Sequence, residues 1–113
     1  MQRLRMSDLR HRVKIRRAAL LVNDRGVETV AYPGTEDFKV WAHIESGSAR
    51  TGKGEAEETP EKEYMVTVRY RTDIGPDDRI EHRGRLFEQT APPEDIDERR
   101  IFLRLRCREK VEA

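Results

Sequence analysis

Between Leu9 and Arg17 the chain places Leu9, Val13 and Ile15 on one side and Arg10, Arg12, Lys14 and Arg16 on the other. This is the period-2 pattern of a strand with one buried and one solvated face. The same pattern returns at Tyr64–Arg71, where Tyr64, Val66, Val68 and Tyr70 share a side, and at 101–108, where Ile101, Leu103, Leu105 and Cys107 oppose Phe102, Arg104, Arg106 and Arg108. Three segments of strict alternation, spread from one end of the chain to the other, require a single sheet-built core. The 113 residues suffice for one such core, so residues 1–113 are read as a single domain.

The remaining strands follow from turn chemistry. Residues 18–22 continue apolar into Asn23-Asp24-Arg25-Gly26, a turn in which glycine supplies a positive φ, and 23–37 read as an irregular connection broken again at Pro33-Gly34. A second strand covers Phe38–Ser46. Its period leaves open which face is buried, because Trp41 competes with the Val40, Ala42 and Ile44 set. The third strand, 63–71, runs into the reversal Gly75-Pro76-Asp77-Asp78. Arg79–His82 and Arg85–Thr90 form a hairpin across Arg83-Gly84, and 92–97 turns the chain into the sixth strand at 101–108. No helix longer than one turn is predicted. The expected fold is all-β, a small six-stranded β-barrel, since closure removes the open edges of a small sheet.

A long loop is expected between strands two and three. Gly47–Glu63 carries Gly47, Ser48, Arg50, Lys53, Glu55, Glu57, Glu58, Glu61 and Glu63 and has no apolar periodicity. Loops of this length in a small domain are usually functional, which makes it a candidate site. Charge is segregated along the chain although the net charge is only +1: Arg and Lys dominate residues 1–17 and 99–110, and Glu dominates 55–63. Arg10, Arg12, Lys14, Arg16, Arg104, Arg106 and Arg108 are therefore candidate contacts to neighbouring subunits or to a DNA backbone.

Other chemistries are disfavoured by the residues themselves. Cys107, the single cysteine, is in phase with Leu103 and Leu105 and reads as a buried hydrophobe, not a nucleophile. His11, His43 and His82 fall on three strands without a local ligand pair, so no metal site is expected. Thr51-Gly52-Lys53-Gly54 lacks the spacing of a phosphate-binding loop, and the pairs Asp77-Asp78 and Glu57-Glu58 lie in turns or loops that cannot pull two pKa values apart. No enzyme activity and no cofactor are predicted. No membrane span or secretory signal is read, which suits a protein made in a reducing cytoplasm. Oligonucleotide-binding barrels combine basic grooves with aromatic platforms, but aromatic residues make up only 6% here. Contact with DNA backbone stays open, and base readout does not.

Taken in order, 9–15, Val40-Trp41-Ala42-His43-Ile44-Glu45, 64–71, Arg79-Ile80 with Gly84-Arg85-Leu86-Phe87, and Leu103-Leu105-Cys107-Arg108-Glu109 resemble the head-tail joining proteins of long-tailed bacteriophages and prophages, the head-closure or stopper proteins. The likeness covers about Leu9 to Glu109 and lies in the conjunction of strands, none of which is diagnostic alone. It implies a structural protein of the virion neck, made in the host bacterial cytoplasm. Its copies would form a homo-oligomeric ring beneath the portal and its adaptor, and an isolated subunit could still be monomeric. The resemblance also implies a tail-completion or tail tube protein docked on the far side, packaged double-stranded DNA in the channel, and Gly47–Glu63 as the channel loop. Two features depart from the pattern: the start of the 18–37 connection is less polar, and the loop is rich in Glu, which repels phosphate and suits a stop better than a clamp. The alternatives are another neck component, such as a tail-completion protein, and a small barrel that binds nucleic-acid backbone.

Overall fold

The computed structural model of the chain describes residues 4–46 and 62–110. The described residues form nine strands: β1 (His11–Arg16), β2 (Ala19–Val22), β3 (Glu28–Ala31), β4 (Phe38–Ser46), β5 (Glu63–Arg69), β6 (Arg79–His82), β7 (Arg85–Gln89), β8 (Glu94–Asp95) and β9 (Phe102–Lys110). Six of them close a barrel in the order β5-β4-β1-β6-β7-β9, and β9 returns to β5. Every pairing is antiparallel. These six are the six strands expected from alternation, and the fold is the expected all-β barrel. The stretch 47–61, which holds most of the expected long loop, lies outside the described residues.

Alternation decides what enters the barrel. Val13 and Ile15, Val40 and Ala42, Tyr64, Val66 and Val68, Ile74, Ile80, Phe87, Leu103, Leu105 and Cys107 form one core. The choice left open on β4 is settled by its neighbours. Val40 stands opposite Val13 in register and turns inward, while Trp41 is 51% exposed. The turn between β6 and β7 places both Arg83 (φ 54) and Gly84 (φ 79) in the left-handed region, as a two-residue hairpin with the twist of its strands requires.

Three expectations are corrected. The connection 23–37 is not irregular throughout: β3 lies within it and pairs with β2, formed by most of the apolar stretch 18–22, as a separate hairpin with Ala19 opposite Ala31 and Val22 opposite Glu28. Its turn is the one expected, with the Asn23 side chain accepting from the Arg25 and Val27 backbone N–H groups at 2.8 and 3.0 Å and Gly26 at φ 83. The hairpin escaped detection because its apolar residues do not alternate and neither face is buried. Ile101 lies outside the core: Asp97, Glu98 and Arg100 all take positive φ, which breaks the phase, and the strand begins only at Phe102. Leu9 precedes β1 and is half-buried outside the core, because a 3-10 turn at Met6–Asp8, held by the Arg5 N–H donating to Asp8 at 2.9 Å, redirects the chain.

Two carboxylates fix how the hairpin leaves the barrel. Buried Asp78 accepts from the Ala18 and Gly75 N–H groups, each at 2.8 Å, and pairs with Arg17 at 3.4 Å. Asp37 accepts from the Arg17 N–H at 3.0 Å and pairs with Arg16 at 3.0 Å. Tyr32, just past β3, donates to the Asp77 carbonyl at 2.7 Å beneath the Arg79 guanidinium.

Core and surface positions on β9 should separate cleanly in urea denaturation. Leu103→Ala is expected to cost about 2–5 kcal/mol, and Arg106→Ala on the outer face about 0.5 kcal/mol or less. Equal losses would mean that the strand is not oriented as described.

Candidate interaction surfaces

The barrel presents three surfaces with distinct chemistry. The first is the arginine-bearing outside of β1 and β9. On β9, Arg104 and Arg106 each lie 3.8 Å from Glu94, and Arg108 lies 3.2 Å from Glu88. On β1, Arg16 sits between Asp37 and Glu81, and Lys14 is registered opposite Glu81. Arg12 stacks over the Trp41 ring at 5.0 Å, and Arg10 donates to the Ser7 carbonyl at 3.3 Å. Apart from Lys14, the expected contact residues therefore form two sets. Arg16, Arg104, Arg106 and Arg108 have carboxylate partners within the chain, and Arg10 and Arg12 flank an aromatic patch. Exposed pairs of this kind are worth about 0–1 kcal/mol each, so a phosphate or a neighbour's carboxylate exchanges into them at little cost.

The second surface is the barrel end at which β4 and β5 meet 47–61. Ser46 and Tyr64 are in register there, and the Tyr64 ring packs edge-on against Phe87 at 5.0 Å. Arg85 donates to the Tyr64 hydroxyl at 2.9 Å and to Glu109 at 3.1 Å, and this bond holds the Glu109 carboxyl below its usual range. His82, registered opposite Arg85, meets His11 edge-to-face at 5.3 Å. Burial lowers the His82 pKa, and the charges of His11, Arg83 and Arg85 lower it further. The barrel thus joins two histidines that the sequence placed on separate strands; among the described residues no third ligand completes a metal set. Among the expected loop residues only Glu63 is described, in register with Arg108; Gly47, Ser48, Arg50, Lys53, Glu55, Glu57, Glu58 and Glu61 lie outside the described residues.

The third surface is apolar and was not expected from the sequence. An open groove of about 1100 Å³ lies between the Met6–Leu9 turn and the β4–β5 side of the barrel, lined by Met6, Leu9, Val40, Trp41 and Tyr70 with Arg10, Lys39, Arg69 and Arg71 around them. Arg71 is held by Asp73 at 2.7 Å and covers the Phe38 ring at 4.3 Å. The signal available in the sequence was Trp41, an aromatic alternating with Val40 and Ala42 on β4 and so on the opposite face from them. Cys107 belongs to none of the three surfaces: it is buried, and desolvation alone pushes its thiol up to about 12.

A family profile described as phage head completion protein matches residues 4–110. Among solved structures, protein SF1141 from Shigella flexneri 2a is 25% identical, with a TM-score of 0.67, covering 93% of this chain and 96% of that one. A chain of the virion of a native gene transfer agent particle is 22% identical, with a TM-score of 0.70, covering 98% of this chain and 100% of that one, and this likeness bears on the fold. No curated protein matches in sequence.

Two measurements check this description. Native Cys107 should resist thiol-specific labelling at neutral pH and react only after unfolding, and rapid labelling of the folded protein would place it at the surface. For His82, the unfolded chain binds a proton that the folded chain refuses between the ordinary value of 6.5 and the lower native value. Stability should therefore fall as pH drops through that window. The Glu109 contribution is lost only below about its ordinary 4.5, so the two are separable. His82→Gln should flatten the histidine part of the curve in denaturation measured from pH 7 to 5, and an unchanged slope would assign it elsewhere.

Proposed function

The chain belongs to the phage head completion protein family, and from that premise we propose that it forms a ring between the portal-adaptor assembly and the tail, closes the filled head, retains packaged DNA and offers the tail its docking surface. Family membership makes it a structural protein of the phage head-tail neck, associated with other virion proteins, and not an enzyme. The observation that carries the reading is the extent of the match: it spans the described residues from Leu4 to Lys110, so the whole barrel and its hairpin belong to the family domain.

The geometry supports the finer roles. Segment 47–61 is anchored by adjacent antiparallel strands at one end of the barrel, the arrangement by which a ring of barrels would direct many copies of one segment toward a common axis. The Glu residues of Gly47–Glu63 would then face packaged DNA as a repulsive stop. The arginines of β1 and β9 would supply exchangeable contacts to neighbouring copies or to phosphate. The barrel that binds single strands is less well supported, because Tyr64 points into the core and Tyr70 packs against it, which leaves Trp41 as the exposed large aromatic among the described residues, too few for a stacking platform. No helix among the described residues is long and apolar enough to cross a membrane.

Shortening the connection between Ser46 and Lys62 to about half should change closure entropy by only about 0.6 kcal/mol, so the barrel should keep its unfolding temperature. Particles carrying this variant should contain the protein but lose DNA before tail attachment, scored by nuclease sensitivity of purified heads. Particles that hold DNA and infect normally would show that this segment is not the stop. Tail-bearing, filled particles from a strain lacking the gene would overturn the neck assignment itself.

A further inference from the structure

We propose that the β2–β3 hairpin of one copy seats in the groove beside Trp41 of the next copy, joining subunits head to tail. The inference rests on the ring reading and supplies its joint. Its basis is where the exposed apolar residues fall. Leu20, Leu21, Val22, Val27 and Val30 on the hairpin are 43–60% exposed, and Met6 and Trp41 at the groove are 42% and 51% exposed. Apart from Ile101, these are the exposed large hydrophobic residues among the described residues. An apolar arm and an apolar groove without intramolecular cover mark surfaces that meet a partner.

The arm does not fill the groove of its own chain. Its base is clamped beside the β1–β6 pair by Asp78 and Tyr32, whereas the groove lies over β4 and β5, and no hairpin residue lines it. Joining two different surfaces of identical subunits is a heterologous contact, the kind that closes a ring when its rotation fits. Charge complements shape: residues 19–31 carry Asp24 and Glu28 against Arg25, and the groove carries Arg10, Lys39, Arg69 and Arg71 against Asp73. Complementary charges of this kind set register and exclude wrong partners. Among the described residues, the outer edges of β2 and β3 also have no strand partner, which leaves backbone groups to pair with a neighbour.

The test uses particles assembled with Thr29→Cys and Lys39→Cys in one chain, oxidised and run on a non-reducing denaturing gel. The joint predicts a ladder beyond dimer for the double variant and no ladder for either single variant, since unlike positions meet and Cys107 is buried. Wild-type particles treated with an amine-reactive cross-linker report the ring irrespective of which surfaces touch. A ladder with the amine reagent but none through the cysteines overturns the joint and leaves the ring standing, and no ladder with either reagent overturns both. In parallel, Leu21→Asp should lower incorporation into particles by about tenfold with an unchanged unfolding temperature. Normal incorporation of that folded variant would show that the hairpin is not the joining arm.

Discussion

The pairing of β5 with β9, from Glu63 opposite Arg108 to Arg69 opposite Phe102, removes the last open edges of a six-stranded sheet and turns it into a barrel. Everything inside then depends on register, because a slip of one residue would turn Val66, Val68, Leu103 and Leu105 out to solvent together. Closure also accounts for a composition that is 40% charged and 35% hydrophobic. A single narrow barrel has one small core, filled by alternate residues of six strands, and its entire outer face meets water or another protein. The pairing joins residues some forty positions apart, so the structure is specified by contacts that form only when the whole chain is collapsed.

Around that barrel, the buried carboxylate of Asp78 and the nearby Asp37 convert a flexible exit from β1 into a fixed one. Two backbone N–H groups and Arg17 satisfy Asp78, and Arg16 and the Arg17 N–H satisfy Asp37. A carboxylate at low exposure is tolerated only with such partners, and with them it sets direction. The consequence is an arm whose apolar residues are exposed among the described residues.

The arginines show the same economy. A nearly neutral chain that carries long basic stretches keeps most of them balanced by its own acids on neighbouring strands, with Glu94, Glu88 and Glu81 against Arg104, Arg106, Arg108 and Arg16. Exposed pairs of this kind are individually weak.

By itself, the sequence determined the six barrel strands, most of the inward set on three of them, the turns at Gly26 and Gly84, and the buried state of Cys107, because each is written in period-2 alternation or in the local need for a positive φ. The tail of the pattern misled at Ile101, where three left-handed residues shift the phase, and at Leu9, where a one-turn helix redirects the chain. The tertiary structure alone decided that Val40 rather than Trp41 enters the core, that 19–31 is a hairpin, that His11 and His82 meet, and that Met6, Leu9 and Trp41 line one groove. The hairpin was hidden because its apolar residues neither alternate nor enter a core; the other three depend on which residues lie near one another after closure, and spacing along a chain carries no information about that.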